Sequence, residues 1–208
     1  PLPANPPANH TPLNDSPLSP RLPALPNRQT GVGGSVRVLG RQVGILDDAH
    51  IDVTGTNGGG EILIGGDWQG KNPGILNAQA SYVAESARLD ASATVRGNGG
   101  KVVVWSDGTT RMHGTIRATG GAGGGDGGSI ETSGKGSLDV AGSQISAKAP
   151  AGTNGQWLLD PSGITVVHGS SNALSGGIFD PATASSIGDT QINNALNGGT
   201  DVTLQTSG

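Results

Sequence analysis

Short apolar runs follow pairs of small turn residues at regular distances along this chain. The lines are GGSVRV at 33–38, GGEILI at 59–64, GGKVVV at 99–104, GGSIET at 127–132, NGQWLL at 154–159 and GGTDVTL at 198–204. Their starts lie 26, 40, 28, 27 and 44 residues apart, so three spacings agree and two carry extra chain. A second beat falls between the first: HIDVTG at 50–55, RLDASA at 88–93, TIRATG at 115–120 and QISAKA at 144–149. Each centres on one Ile or Leu with Ala or Val two places on, an alternation that turns one face of a strand inward.

A turn, a strand, a corner and a second strand every 26 to 28 residues fit one coil of a right-handed parallel β-helix, in which equivalent positions stack about 4.8 Å apart. Asn57, Asn98, Asp126, Asn154 and Asn197 precede glycines at what this reading makes equivalent corners. Asn and Asp tolerate left-handed backbone, and Gly is required where coils approach closely. A propeller, the main alternative, needs blades of about 40 residues with four strands each.

The two long spacings mark insertions. The first, roughly 66–86, carries Trp68 and Tyr82 and is expected to leave the barrel as a loop. Exposed aromatics on such a loop are candidates for contact with a sugar or a partner. The second contains DTQINNALNGG at 189–199. Ile192 and Leu196 share a helical face, Asp189 or Thr190 can cap, and Asn197–Gly198 ends the run, which predicts a short helix over about 189–197 that shields a flank or an end. Trp105 and Trp157 follow equivalent corners and are expected inside the solenoid or at its end.

Composition agrees. The chain of 208 residues has 38 glycines and only five aromatics, and 13% of its residues are charged. A core without many rings is thin and aliphatic, and the glycines supply corners. Residues 1–32 form a separate zone holding nine of the 13 prolines. Such spacing disfavours helix and central strand and predicts an extended arm, with Leu2, Leu13, Leu18, Leu22 and Leu25 as its apolar contacts. Six coils span about 30 Å, whereas 30 residues of polyproline form reach about 90 Å. The arm is therefore long enough to contact a neighbouring copy, and residues 33–208 form the β-helix domain.

Several function classes lose support. Net charge is −4 with scattered basic residues, so no nucleic-acid footprint is expected. No cysteine occurs, which removes disulfides and Cys-based zinc sites and suits a chain that crosses a periplasm unfolded. No apolar stretch is long enough for membrane insertion. The opening PLPANPPANH has neither a starting Met nor a signal-like segment and reads as a processed or excised product. Catalysis on a polysaccharide needs paired carboxylates or a cation with a base. The candidates Asp47, Asp48, Asp67 and Asp107 do not supply them: the first two are adjacent and point to opposite faces, and Asp107 precedes a turn glycine. GGAGGGDGG at 120–128 is one copy, out of register, of a calcium-type repeat, and no helix follows its GxGxxG-like string. His10, His50, His113 and His168 have no ligand spacing. No enzyme activity, cofactor or metal is expected.

The phrases GTNGGGEILIGGDWQGKNPGILNAQASYVAESARLDASA, GNGGKVVVWSDGTTRMHGTI, GGAGGGDGGSIETSGKGSLDV and GQWLLDPSGITV closely resemble the large filamentous-haemagglutinin-like exoproteins of Gram-negative bacteria, as does TQINNALNGGTDVTLQTSG. The resemblance covers roughly 33–208. It implies a right-handed parallel β-helix, export by the two-partner route, a secreted or cell-surface location and a role in adhesion or biofilm matrix. The family's N-terminal secretion domain is expected to be absent, and the Pro-rich arm stands where further coils usually do. The expected function is an extracellular structural or adhesive subunit that assembles head to tail, its partners being other copies of itself and cell-surface or matrix carbohydrate or protein. The alternatives are a non-polymerising spacer of a long adhesin fibre and, last, a polysaccharide-active enzyme.

Overall fold

The computed structural model describes residues 31–206 other than 172 and 183. Residues 1–30, with all five leucines assigned to the arm, lie outside the described residues. The chain runs through β1 (Ser35–Val38), β2 (Gln42–Ile45), β3 (His50–Asp52), β4 (Glu61–Ile64), a 3-10 turn (Trp68–Gly70), β5 (Ala80–Val83), β6 (Arg88–Asp90), β7 (Lys101–Ser106), β8 (Thr109–Met112) and β9 (Thr115–Arg117). It continues through β10 (Ser129–Gly134), β11 (Ser137–Asp139), β12 (Gln144–Ser146), β13 (Gln156–Leu159), β14 (Thr165–Val167), β15 (Ser186–Gly188), α1 (Asp189–Asn197) and β16 (Asp201–Leu204).

These strands make three stacked parallel sheets, consistent with a parallel β-helix. The large sheet has the order β1-β4-β7-β10-β13-β16, the second β11-β8-β5-β2 and the third β12-β9-β6-β3. Every third strand thus returns to the same sheet one coil further on. Register is kept throughout: Ser35 faces Glu61, Glu61 faces Lys101, Lys101 faces Ser129, Ser129 faces Gln156 and Gln156 faces Asp201.

The repeated glycine pairs follow from this stacking. A methyl group on the first glycine would strike the carbonyl of Val53 at Gly33, of Ala91 at Gly59, of Ala118 at Gly99 and of Ala147 at Gly127. On the second it would strike the equivalent glycine carbonyl of the coil above, as at Gly60, Gly100, Gly128 and Gly155. Only hydrogen fits where successive corners lie one strand spacing apart. Gly34, in the first coil, has open space in that direction.

Three strands per coil, rather than the expected two, is the main correction to the sequence reading. The missed sheet holds β2, β5, β8 and β11. Its inward column includes Ser81 and Thr110, both fully buried, so the apolar alternation is broken there. Their hydroxyls instead donate to the Trp105 and Ser133 carbonyls at 2.7 and 2.8 Å, satisfying groups at the corner that would otherwise be buried unpaired. The rest of the core is mostly aliphatic, with Ile62, Ile64, Val102, Val104, Leu89, Ile116, Ile130 and Leu138 fully enclosed.

The insertion is also shorter than expected. Ala80–Val83 is a strand, so Tyr82 belongs to a sheet and only the loop 66–79 departs from the coil. Trp157 lies inside, where its indole N–H donates to the Thr132 hydroxyl at 2.9 Å. Trp105 lies outside the barrel instead, because alternation from inward Val104 sends it to the outer face, in a cluster with Leu63, Val103 and Ile75.

The helix spans 189–197 as expected, but its N-cap is Gly188. Asp189 is drawn aside to accept the Gly169 N–H at 2.8 Å. Gly198 closes the helix, its N–H donating to Asn194 and Leu196. α1 packs on β12, β15 and β16. There the third-sheet ladder ends with the Ala147 N–H donating to the Thr200 side chain at 2.8 Å. The segment between β14 and β15 crosses the outer face of the second sheet. It is held by buried Arg111, whose guanidinium donates to the carbonyls of Ser175, Ile178 and Asp180.

Candidate functional site

Two features of the surface are built from residues the sequence singled out. The first is the glycine corner. Asn98 and Asp126 occupy the same place in successive coils, three residues ahead of the paired Lys101 and Ser129. The Asn98 side-chain carbonyl accepts the Asp126 N–H at 2.9 Å, and the Asp126 carboxylate accepts the Thr153 N–H at 2.8 Å. Beside them a backbone ladder runs from the Gly33 N–H to the Gly58 carbonyl, Gly59 to Asn98, Gly99 to Asp126 and Gly127 to Thr153. Asn57 stands one residue ahead of this column, where it accepts from Arg96 Nε at 2.9 Å. Asn154 stands one residue behind it and accepts the Ala149 N–H at 3.2 Å. Asn197 is the last residue of α1 rather than a strand corner. The five positions are corners or ends, but only Asn98 and Asp126 stack.

The second feature is the loop 66–79 lying on the outer face of the large sheet. Asp67 caps the 3-10 turn by accepting the Trp68 N–H at 2.7 Å. Its carboxylate also accepts from Lys101 Nζ at 2.7 Å and from Asn72 Nδ2 at 2.8 Å. Burial alone would push the Asp67 carboxyl up, but the bonds from Asn72, Lys101 and the Trp68 N–H outweigh it and hold it at about 2. Lys101 in turn reaches Glu61 at 3.0 Å, and Glu61 meets Arg37 at 3.3 Å, giving a charge chain over three coils. Trp68 is half-buried against the cluster of Leu63, Ile75, Val103 and Trp105. Gly70, with φ +61, rests on the Trp105 indole, where any side chain would collide with the ring.

Beneath this loop lie two carboxylates that sequence reasoning missed. Glu131 is fully buried and Asp160 is 1% exposed. Gln69 joins them: its N–H donates to Glu131 Oε2 at 2.8 Å and its side-chain amide to Asp160 Oδ2 at 3.0 Å. Gln205 also donates to Asp160 Oδ2, at 2.9 Å. Glu131 Oε1 has no hydrogen-bond partner. Burial drives the Glu131 carboxyl up to about 7 against the Gln69 and Ser133 bonds, with Asp160 and Asp67 adding to the rise. One sequence signal could have found Glu131: GGSIET places a charge where its neighbouring lines GGEILI, GGKVVV and NGQWLL have Leu or Val.

The remaining candidates disperse. Asp47 has left-handed backbone, with φ 52. Asp48 is exposed, and Asp107 accepts from Asn77 and from the Trp105 indole. Tyr82 is half-buried and meets the His113 ring edge-on at 5.8 Å. His113 lies 3.0 Å from Asp139, and His168 lies 3.1 Å from Asp189. His50 is exposed in β3, and His10 lies outside the described residues. Among the described residues no group of three or more His, Asp or Glu is placed to hold a metal ion. None of the helices among them is long and apolar enough to cross a membrane.

The chain is similar to the solved HMW1 secretion domain from Haemophilus influenzae, with 32% identity and a TM-score of 0.51 over 62% of this chain. The match takes in 32% of the HMW1 chain, so this chain spans about a third of that domain's length. No family model matches the chain, and no curated protein does. The coils are thus similar to part of a secretion domain, a structure the sequence reading expected to be absent.

Proposed function

We propose that this chain is a secreted, adhesin-like β-helical unit of a Gram-negative bacterium, structural rather than enzymatic, that joins end to end with copies of itself at the cell surface or in the matrix. The similarity to a secretion domain supports export, and the resemblance to haemagglutinin-like exoproteins supports the two-partner route and an adhesive setting.

The observation that carries the assembly reading is Gly34. In the next four coils the second glycine is required by the carbonyl stacked against it, whereas among the described residues nothing lies within 4 Å of a methyl placed on Gly34. Strand β1 also presents half-buried Val36 and Val38 in the columns that end at Val202 and Leu204 of β16. Stacking β16 of one copy on β1 of the next continues both columns and brings Asp201 beside Ser35 and Arg37. The join uses the large sheet alone, since α1 packs on the last strand of the third sheet. The arm, with Leu2, Leu13, Leu18, Leu22 and Leu25, would strap the neighbour, as in strand-donation systems. Cell-surface or matrix carbohydrate or protein is the expected external partner.

The test is electron microscopy of three proteins: the intact chain, the chain without residues 1–30, and Gly34→Ala. Filaments from the intact chain that vanish in Gly34→Ala, with the circular dichroism spectrum unchanged, support joining at β1. Loss on truncation assigns the strap role to the arm. Short rods in every preparation remove self-assembly and leave the spacer of a longer adhesin.

A further inference from the structure

The carboxylate pair under the loop is not used in the proposed join at β1 and β16, and its geometry is specific. Glu131 sits on the outer face of β10 between Val103 and Leu158 in register, and it is sealed from water. An acid in such a place is ordinarily paired or hydrogen-bonded at both oxygens. Here Oε2 accepts the Gln69 N–H and Ser133 also bonds the carboxyl, but Oε1 has no partner. The neighbouring cations are turned elsewhere. Lys101 is engaged by Glu61 and Asp67, Lys71 donates to Gln69 Oε1 at 2.9 Å, and Lys135 is exposed at the rim. The other charges facing Glu131 are Asp160 and Asp67, both acidic. With no metal-holding cluster among the described residues, a proton is the cation this oxygen can take.

Gln69 couples the acid to the loop. It bonds both Glu131 and Asp160, and it does so with φ 54 and ψ 20. That left-handed backbone is costly for a residue with a side chain and persists only while surrounding contacts hold it. The apolar hold of Trp68 and Ile75 on Leu63, Val103 and Trp105 opposes release.

We propose that the loop 66–79 is a proton-controlled latch: Glu131 is protonated while the loop lies closed, and loss of that proton to solvent lifts the loop from the large sheet. Ionised Glu131 would face Asp160 with one oxygen dry and unpaired, and admitting water beneath Gln69 relieves both penalties. Opening uncovers the strip of Leu63, Val103 and Trp105. The direction follows from linkage. A carboxyl at about 7 in the closed state and at its ordinary value once wet binds its proton more tightly when closed, so closure weakens as pH rises.

Hydrogen–deuterium exchange of the intact chain, corrected for intrinsic rates, reads this directly in residues 66–79. The opening constant is expected to rise by about 50-fold between pH 5 and pH 8. Glu131→Gln, a neutral isostere of the protonated acid, abolishes the dependence and stays closed at pH 8. Asp160→Asn keeps Glu131 and moves the midpoint to lower pH. Protection that is independent of pH in the unaltered chain, or a pH dependence that survives unchanged in both variants, would overturn the proposal.

Discussion

The side-chain carbonyl of Asn98 accepts the backbone N–H of Asp126, its counterpart one coil further on, at 2.9 Å. A side chain thus extends the inter-coil ladder past the end of the strands, where the backbone turns away. Asn98→Ala removes this bond at a position open to solvent, so the N–H can find water. The expected cost is about 1 kcal/mol, read as a fall of roughly 2–4 °C in Tm.

The glycine pairs separate interior from terminal coils. Gly100→Ala drives a methyl into the Gly60 carbonyl, backbone against backbone, and is expected to destabilise by about 3 kcal/mol or to prevent folding. Gly34→Ala has open space and is expected to lie within about 0.5 kcal/mol of the parent. Urea denaturation of the two variants side by side checks the contrast.

Inside the barrel, the Trp157 indole N–H donates to the Thr132 hydroxyl at 2.9 Å. Thr132→Val keeps the shape and strands that N–H in an aliphatic core. A loss of about 2 kcal/mol is expected, whereas a hydroxyl kept at this position by Thr132→Ser should recover most of it. Equilibrium denaturation of both variants measures the difference.

Acid should weaken the loop contacts from the other side. Asp67 is held at about 2 in the folded chain, below its ordinary 3.8. Its contribution is therefore complete above about pH 4 and is lost as pH falls from there through about 2. The linked stability is roughly 2 kcal/mol. Lys101→Met removes one of the three donors and should flatten the stability profile in that window, as followed by thermal melts between pH 2 and pH 5.

Arg111 is buried and donates to three carbonyls of the segment that crosses the second sheet. Arg111→Leu leaves those carbonyls without their donor. Limited proteolysis should then cut within 173–182 while the coils before it remain intact.

Much of this fold was legible because stacked parallel strands repeat their physics. Val102, Ile62 and Ile130 announce one column by their spacing, and the glycines ahead of them mark where coils touch. The second sheet was not legible, because Ser81 and Thr110 look like solvent-facing residues until the corner carbonyls they serve are placed beside them. Tyr82 was assigned to a loop for the same reason, its strand having no continuous apolar face to declare it. Trp105 and Trp157 follow the same corner, yet one is outside and one inside. Trp105 comes one residue after inward-facing Val104 and so shares the outer face with Val103, while Trp157 falls in the column of Val102 and Ile130.

Sequence by itself determined the coil's length, its glycine corners, most of its aliphatic interior and the helix at 189–197, all of which follow from local spacing and backbone chemistry. Tertiary structure alone decided which polar groups meet. Gln69 and Glu131 are 62 residues apart, and Gln69 and Asp160 are 91 apart. No periodic signal links them, because the loop that joins them is an insertion and obeys no repeat. Their meeting depends on where the loop lands on a sheet assembled from separate coils, and burial at that contact is what changes the chemistry of Glu131.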